Sequence, residues 1–183
     1  MSVVNQPMPA HLVTRWMKTP LGPIEIAVKT QDDHRDVFWY FEFKQMAELE
    51  DSANRGRHEL LDLAEVQLKE YFSGQRREFE ALLSYLSDYG TEFQRQVWHG
   101  LRQVPYGETW SYGDLAKYID KPKAVRAVGA ANGRNPLAVV VPCHRVIGAN
   151  GTLTGYAGGM DKKRWLLEFE ASHLNANAQP GLF

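Results

Sequence analysis

The chain has 183 residues, of which 44% are hydrophobic and 23% charged, a globular balance that excludes wholesale disorder and fibrous repeats. Its one cysteine, Cys143, excludes an internal disulfide framework and a cysteine-rich zinc site. The longest apolar runs, such as residues 137–141, fall far short of the ~18 residues a membrane span needs.

The N-terminus has no basic stretch leading into an apolar one, so no secretory signal is expected, and a lone thiol fits a reducing cytoplasm. The net charge of −1 hides an asymmetry. Residues 1–92 carry ten Lys and Arg against 16 Asp and Glu, whereas residues 93–170 carry 11 against six. The second part is therefore the better platform for phosphate.

Residues 11–43 predict a three-stranded antiparallel meander with one face buried. Val13, Trp16 and Met17 come first, then a turn at 19–23. Ile24, Ile26 and Val28 alternate with polar neighbours, as do Val37, Trp39, Phe41 and Phe43 beyond a polar break at 31–34. Residues 48–57 read as a charged loop. Leu61, Ala64, Leu68 and Phe72 predict a helix over 58–72 that Gly74 ends. Residues 79–83 read as a short strand. Residues 84–90 read as a linker at the change of charge sign, dividing an N-terminal α/β domain (1–88) from a C-terminal domain (89–183).

The second domain is expected to be mostly helical. Thr91 caps a helix over 92–103 with Phe93, Val97 and Leu101 on one face. After a turn at 105–107, Ser111 caps a helix running to 119, and residues 120–122 break it. An Ala-rich helix over 123–131 carries Lys123 and Arg126, and the pair makes a helix-turn-helix candidate. Residues 137–141 read as a buried strand running into Pro142-Cys143-His144-Arg145. A Gly-rich loop follows at 152–159. Asp161 caps a last helix through 170, with Trp165, Leu166 and Phe169 inward. The fold class is mixed α+β.

Cysteine is a nucleophile only as the thiolate, so its surroundings decide its use. A single cysteine in an apolar run is most often an inert buried residue. Here His144 follows directly. Adjacent side chains diverge, so a bridging water is needed for the imidazole to take the thiol proton. A carboxylate on the far ring nitrogen would fix the tautomer. Glu170 is favoured for that place, with Glu168 and Asp161 as alternatives.

The string Pro142-Cys143-His144-Arg145-Val146-Ile147-Gly148 resembles the active-site signature of the O6-alkylguanine-DNA alkyltransferases, the methylated-DNA–protein-cysteine methyltransferases. Arg126-Ala127-Val128-Gly129-Ala130-Ala131 with Asn135-Pro136 is similar to that family's recognition helix and hinge. Phe93-Gln94, Val97-Trp98, Pro105, Gly107, Ser111-Tyr112 and Leu115-Ala116 resemble the segments before it. Tyr156, Gly158-Gly159 and Trp165-Leu166-Leu167 through Glu170 resemble its closing loop and last helix. The likeness is dense over 90–170 and loose over 1–89, where it implies an RNase H-like sheet and helix.

The resemblance implies direct reversal of DNA damage. The O6-alkyl group of O6-alkylguanine, and by extension O4-alkylthymine, passes irreversibly to Cys143, once per molecule and with no cofactor. His144, oriented by Glu170, deprotonates Cys143 through a water. Asn135 bonds the backbone of the active-site turn. Tyr112 protonates the leaving guanine and crowds a phosphate, and Arg126 fills the gap left by the flipped base. Lys123, Ala127 and Gly129 are further DNA contacts. Small residues on that helix suit close approach to the minor groove, and a base must leave the stack to be reached.

The same resemblance implies an alkylguanine pocket formed by carbonyls at Cys143 and Val146, with Tyr156 and the Ala157 amide. The implied partner is double-stranded DNA bound by a monomer, singly or cooperatively, with no membrane and no metal. Ala157 stands where some relatives carry a hydroxyl. Some relatives hold zinc through N-terminal Cys and His; this chain has no cysteine there, so His11 and His34 are expected in solvent. At this length no fused regulatory domain is expected. Two other classes fit less well: a non-enzymatic binder of alkylated DNA, which Cys143 disfavours, and a cysteine hydrolase, for which no signature is present.

Overall fold

The computed structural model describes residues 11–32, 35–46 and 56–176. The chain divides into two compact units, one of Met1–Tyr89 with Pro136–Val140 and one of Gly90–Asn135 with Val141–Phe183. The segment 136–140, read from sequence as part of the second domain, thus clusters with the first.

The first unit is built on an antiparallel sheet in the order β1 (Leu12–Thr19), β2 (Gly22–Lys29), β3 (Val37–Phe43). Thr19 pairs with Gly22, so a two-residue turn closes the first hairpin. Gly22 sits at φ +97, a conformation that costs glycine little. The expectation of one buried face needs correction. Ile24, Ile26 and Val28 are fully buried on one side of β2, but Ala27 is fully buried on the other, clustered with Trp39 and Tyr40. A bulge explains the second side. Ala27 pairs with Tyr40 and Val28 with Phe38, so Trp39 is the extra residue and Phe38 takes the place beside Phe41 that strict alternation gives Trp39.

Helix α1 (Glu59–Phe72) packs on β1 and β2 through Leu60, Leu61, Ala64, Leu68 and Tyr71. Each of these leucines contributes about 1.5–3 kcal/mol on burial. His58 caps the helix, its Nδ1 accepting from the Leu60 amide at 3.1 Å, and Ser73 and Gly74 terminate it. Residues 79–83 are not a strand: Phe79 precedes a single helical turn, α2 (Glu80–Leu83), because Phe79 and Leu82, three apart, are the residues buried. The charged loop at 48–57 lies largely outside the described residues, as does His34.

Of residues 137–141 all but the half-buried Ala138 are buried, as expected, but they form no strand. Phe41 exchanges backbone bonds with Pro136 and Ala138, and beyond that isolated bridge the chain turns tightly. The Val140 amide bonds the Ala138 carbonyl across Val139, whose φ of +73 is strained for a β-branched residue. An apolar run of this length fits a buried turn as well as a strand.

The second unit begins with α3 (Glu92–Leu101), opened by a Thr91–Gln94 capping box. It stops two residues before the expected end. A short parallel pair joins β4 (Trp110–Ser111) to β5 (Val146–Ile147). Ser111 caps α4 (Tyr112–Tyr118), and α5 (Val125–Asn132) follows after six residues; α3, α4 and α5 pack on one another. Lys123 lies before α5, not in it, because Pro122 and an N-cap without a side-chain bond, Ala124, delay the helix.

Cys143–Arg145 is a single 3₁₀ turn. The last helix, α6 (Met160–Ala176), runs past residue 170, and Asp161 lies in its first turn. Its buried side is Lys163, Leu166 and Glu170, whereas Trp165 and Phe169 are half-buried and stack on each other at 4.8 Å. Among the described residues no helix is long and apolar enough to cross a membrane.

Candidate active site

Cys143 lies at the start of the 3₁₀ turn and is 5% exposed. Two short-range devices aim it. The Cys143 amide bonds the Val141 carbonyl at 2.8 Å across Pro142, whose φ −80 and ψ 60 form an inverse γ-turn. The Asn135 side chain, also buried, donates from Nδ2 to the same carbonyl at 2.8 Å and to Cys143 Sγ at 3.1 Å. Burial pushes the thiol above its ordinary value, opposed by the Asn135 bond and by the charge of Lys163. The thiol is thus protonated near neutrality and needs a base to react.

A candidate base is adjacent. His144 is completely buried and its Nε2 lies 2.8 Å from Glu170 Oε1. Burial holds the imidazole below its ordinary value despite the pull of Glu170, so it is neutral near pH 7. Against an ionised carboxylate, Nε2 must carry the hydrogen, which leaves Nδ1 as an acceptor. That atom is buried with no hydrogen-bond partner among the described residues.

Glu170, also fully buried, is the carboxylate brought to His144; Glu168 and Asp161 are exposed. Burial alone would raise its carboxyl, but the charges and hydrogen bonds of His144 and Arg145 hold it well below the usual carboxylate range. Gly107, at φ +76, donates its amide to Oε2 at 3.0 Å. A Cβ there would sit 3.1 Å from Leu174, so both conformation and space select glycine.

Arg145 and Lys163 escaped the sequence reading. Arg145 donates from Nε and Nη2 to the two Glu170 oxygens at 2.8 and 3.0 Å, and from Nη1 to the Val104 carbonyl at 2.8 Å. Lys163 is fully buried, its ammonium donating to the Val146 carbonyl at 2.6 Å and to the Thr154 carbonyl at 2.7 Å. Burial pulls it down to about 8, with Cys143 acting in the opposite sense. Its position three residues before Leu166 and seven before Glu170 was the available signal, since those spacings share a helix face.

The β4–β5 pair sets Tyr112, first residue of α4, beside the segment that follows the turn. Its hydroxyl donates to the Thr154 carbonyl at 2.9 Å, and burial raises its pKa. Thr154 thus receives both Tyr112 and Lys163. Tyr156 is buried, its hydroxyl without a hydrogen-bond partner among the described residues, and burial pushes it well above the ordinary phenol value. Ala157 is exposed on the same loop. The Val146 carbonyl, expected to read guanine, already accepts Lys163, although a carbonyl has a second lone pair.

On α5 the buried side is Val128, Ala131 and Asn132. Arg126, Ala127 and Ala130 are exposed, as is Lys123 just before the helix, while Gly129 is half-buried against Tyr112. Two groups therefore emerge: Cys143, His144, Asn135 and Glu170 in a buried cluster bordered by Tyr112 and Tyr156, and a surface strip of small and cationic residues. His11 is exposed, and among the described residues no group of three or more His, Cys, Asp or Glu is arranged to hold a metal ion.

Comparison with known proteins adds the following. Residues 92–172 match the family described as 6-O-methylguanine DNA methyltransferase, DNA binding domain. A methylated-DNA–protein-cysteine methyltransferase of Methanosarcina acetivorans is 46% identical over 155 residues, covering 85% of this chain and 96% of its own. The crystal structure of the Mycobacterium tuberculosis O6-methylguanine methyltransferase superposes with a TM-score of 0.73 at 42% identity, over 88% of this chain and 94% of that one. The M. tuberculosis protein in complex with DNA gives a TM-score of 0.72 at 42% identity, over 87% and 93%.

Proposed function

Because the chain belongs to the methylated-DNA–protein-cysteine methyltransferase family, we propose that Cys143 is the residue on which it accepts the alkyl group of O6-alkylguanine in duplex DNA. The observation that carries this reading is the chain's one cysteine, its thiol held at 3.1 Å by Asn135 and followed directly by an imidazole that is bonded to a buried carboxylate.

The reaction is a displacement at carbon. His144 Nδ1 takes the thiol proton through a water, and the thiolate attacks the alkyl carbon. The carbon–O6 bond breaks with its electron pair going to the base, and Tyr112 supplies the proton that neutralises the leaving guanine. The imidazolium then loses its proton as the tyrosinate regains one, so the thiol hydrogen is in net terms transferred to guanine. A positioned acid of this kind is worth about 10²–10⁴-fold. The thioether has no route back, so each molecule reacts once.

Burial of the sulfur means that the base must come to it. Flipping costs a few kcal/mol, and Arg126 on the exposed side of α5 is suited to fill the vacated stack while Ala127, Gly129 and Ala130 permit close minor-groove approach and Lys123 attracts phosphate. Tyr156, Val146 and Ala157 border the base. O4-alkylthymine presents the same alkyl ether and is a second substrate, and a reducing cytoplasm keeps the thiol free.

Incubation with a duplex carrying methyl-labelled O6-methylguanine is expected to transfer label to protein up to one equivalent per molecule and then stop, with intact mass raised by one methyl on the peptide containing Cys143. Continued turnover would sink the reading. Arg126→Ala should lower transfer from duplex roughly ten- to a hundredfold, the loss of one to two kcal-scale stacking contacts, while transfer from the free alkylated base stays within about twofold. Equal losses on both substrates would remove Arg126 from flipping.

A further inference from the structure

The buried carboxylate of the site faces two basic side chains, not one. Among the described residues Glu170 accepts from His144 Nε2 and Arg145 Nη2 on Oε1, and from Arg145 Nε and the Gly107 amide on Oε2. These occupy the roughly four acceptor positions a carboxylate offers. The guanidinium is in turn fixed by the Val104 carbonyl and lies 5.5 Å from the centre of the Tyr106 ring. We infer that Arg145 is a positioning residue whose two-pronged grip on Glu170 shares that carboxylate's charge with His144, so that His144 stays bare at Nδ1 and free to take the proton of Cys143.

The charges around the imidazole decide what this does. Glu170 favours the imidazolium, whereas Arg145 and Lys163 oppose it, as does burial. Glu170 itself is faced by His144, Arg145 and Tyr156, and Cys143 by Lys163, Tyr112 and Tyr156. At neutral pH His144 is uncharged, which leaves Arg145 as the permanent partner of the carboxylate. Were Arg145 neutral, Glu170 would turn its whole charge on His144 and one opposing cation would be gone. Both changes raise the affinity of His144 for a proton. A His144 already protonated at Nδ1 cannot accept the proton of Cys143, so the active form would be confined to higher pH. Arginine suits the task because its guanidinium stays charged and spans both oxygens.

The inference rests on alkyl transfer at Cys143. The test is the pH profile of single-turnover transfer, from pH 5.5 to 8.5. In Arg145→Met the acid limb is expected to move up by about one unit, so that transfer falls severalfold more at pH 5.5 than at pH 8. Arg145→Lys, which restores the charge but not the fork, should recover most of the shift. A residue that only ties the turn to α6 would lower the melting temperature and leave the limb in place; that result would overturn the proposal. Should Arg145→Met fail to fold, ¹⁵N resonances of the unaltered protein serve instead. They should show His144 bare at Nδ1 and protonated at Nε2 from pH 6.5 to 8, and an imidazolium at pH 7 would overturn the proposal equally. An unaltered protein that transfers no label at any pH fails the proposed function, whereas normal transfer with an unmoved limb fails the role of Arg145 alone.

Discussion

Replacing Cys143 by alanine is expected to abolish alkyl transfer while leaving binding to damaged duplex within about twofold. The chain holds no other thiol, so no residual thiolate can substitute. The stability cost should be small, about 1 kcal/mol, since only a buried sulfur and its bond from Asn135 are lost. Asn135 Nδ2 keeps its other partner, the Val141 carbonyl at 2.8 Å, so no donor is left stranded.

Cys143→Ser sharpens the test. The hydroxyl retains a bond from Asn135 and nearly the same volume, yet its proton is held far too firmly for His144 to remove at neutral pH. Both variants should therefore capture the alkylated base without becoming labelled. Electrophoretic binding paired with intact-mass measurement checks both halves. Label on either variant would place the acceptor elsewhere.

Much of this site was legible because its chemistry is contiguous in sequence. Residues 142–148 hold the thiol and the imidazole together, and Asn135 and Tyr112 lie on segments with their own resemblance to the family. Glu170 was reachable from helix spacing, which brings it to the same side as Leu166. What stayed hidden depends on partners that sequence does not pair. Arg145 reads as a surface cation until a buried carboxylate is placed against it. Lys163 reads as one of three consecutive basic residues, although the spacing to Leu166 and Glu170 turns it inward and strands its ammonium unless carbonyls reach it.

The same contrast holds in the fold. Alternation is enough to find three strands, because each side chain's face follows from period two. It cannot show a bulge, and one extra residue at Trp39 gives the sheet a second buried cluster. Residues 137–141 were correctly read as buried. Their conformation, however, comes from the mirror-sense turn at Val139 and the bond from Asn135 to Val141, neither of which hydropathy encodes.

Glu170→Gln is expected to produce the largest combined loss, because one side chain serves both stability and chemistry. The amide keeps the shape but removes the charge and sets an NH₂ against groups that are all donors: Arg145, His144 and the Gly107 amide. Arg145 then remains as a buried cation without its counter-charge, a loss of about 3–5 kcal/mol. Transfer should fall by roughly 10²–10⁴-fold, since His144 loses the acceptor that fixes its tautomer and steadies the imidazolium formed in the reaction.

The pH dependence separates this from general damage. Glu170 is held below its ordinary value in the folded state, so its contribution is complete above about pH 4.3, the unfolded carboxyl value, and is withdrawn as pH falls below that. His144 is also held below its ordinary value, so protonation of the unfolded chain drains stability as pH drops from about 6.5 in both proteins. The difference between the two unfolding free energies should therefore stay large from pH 7 to pH 5 and shrink below pH 4, where the unaltered protein alone loses the carboxylate. Urea unfolding at a series of pH values measures it. A variant as stable as the original at pH 7, or a difference that stays constant through pH 3, would mean that Glu170 is not the charge on which this buried cluster depends.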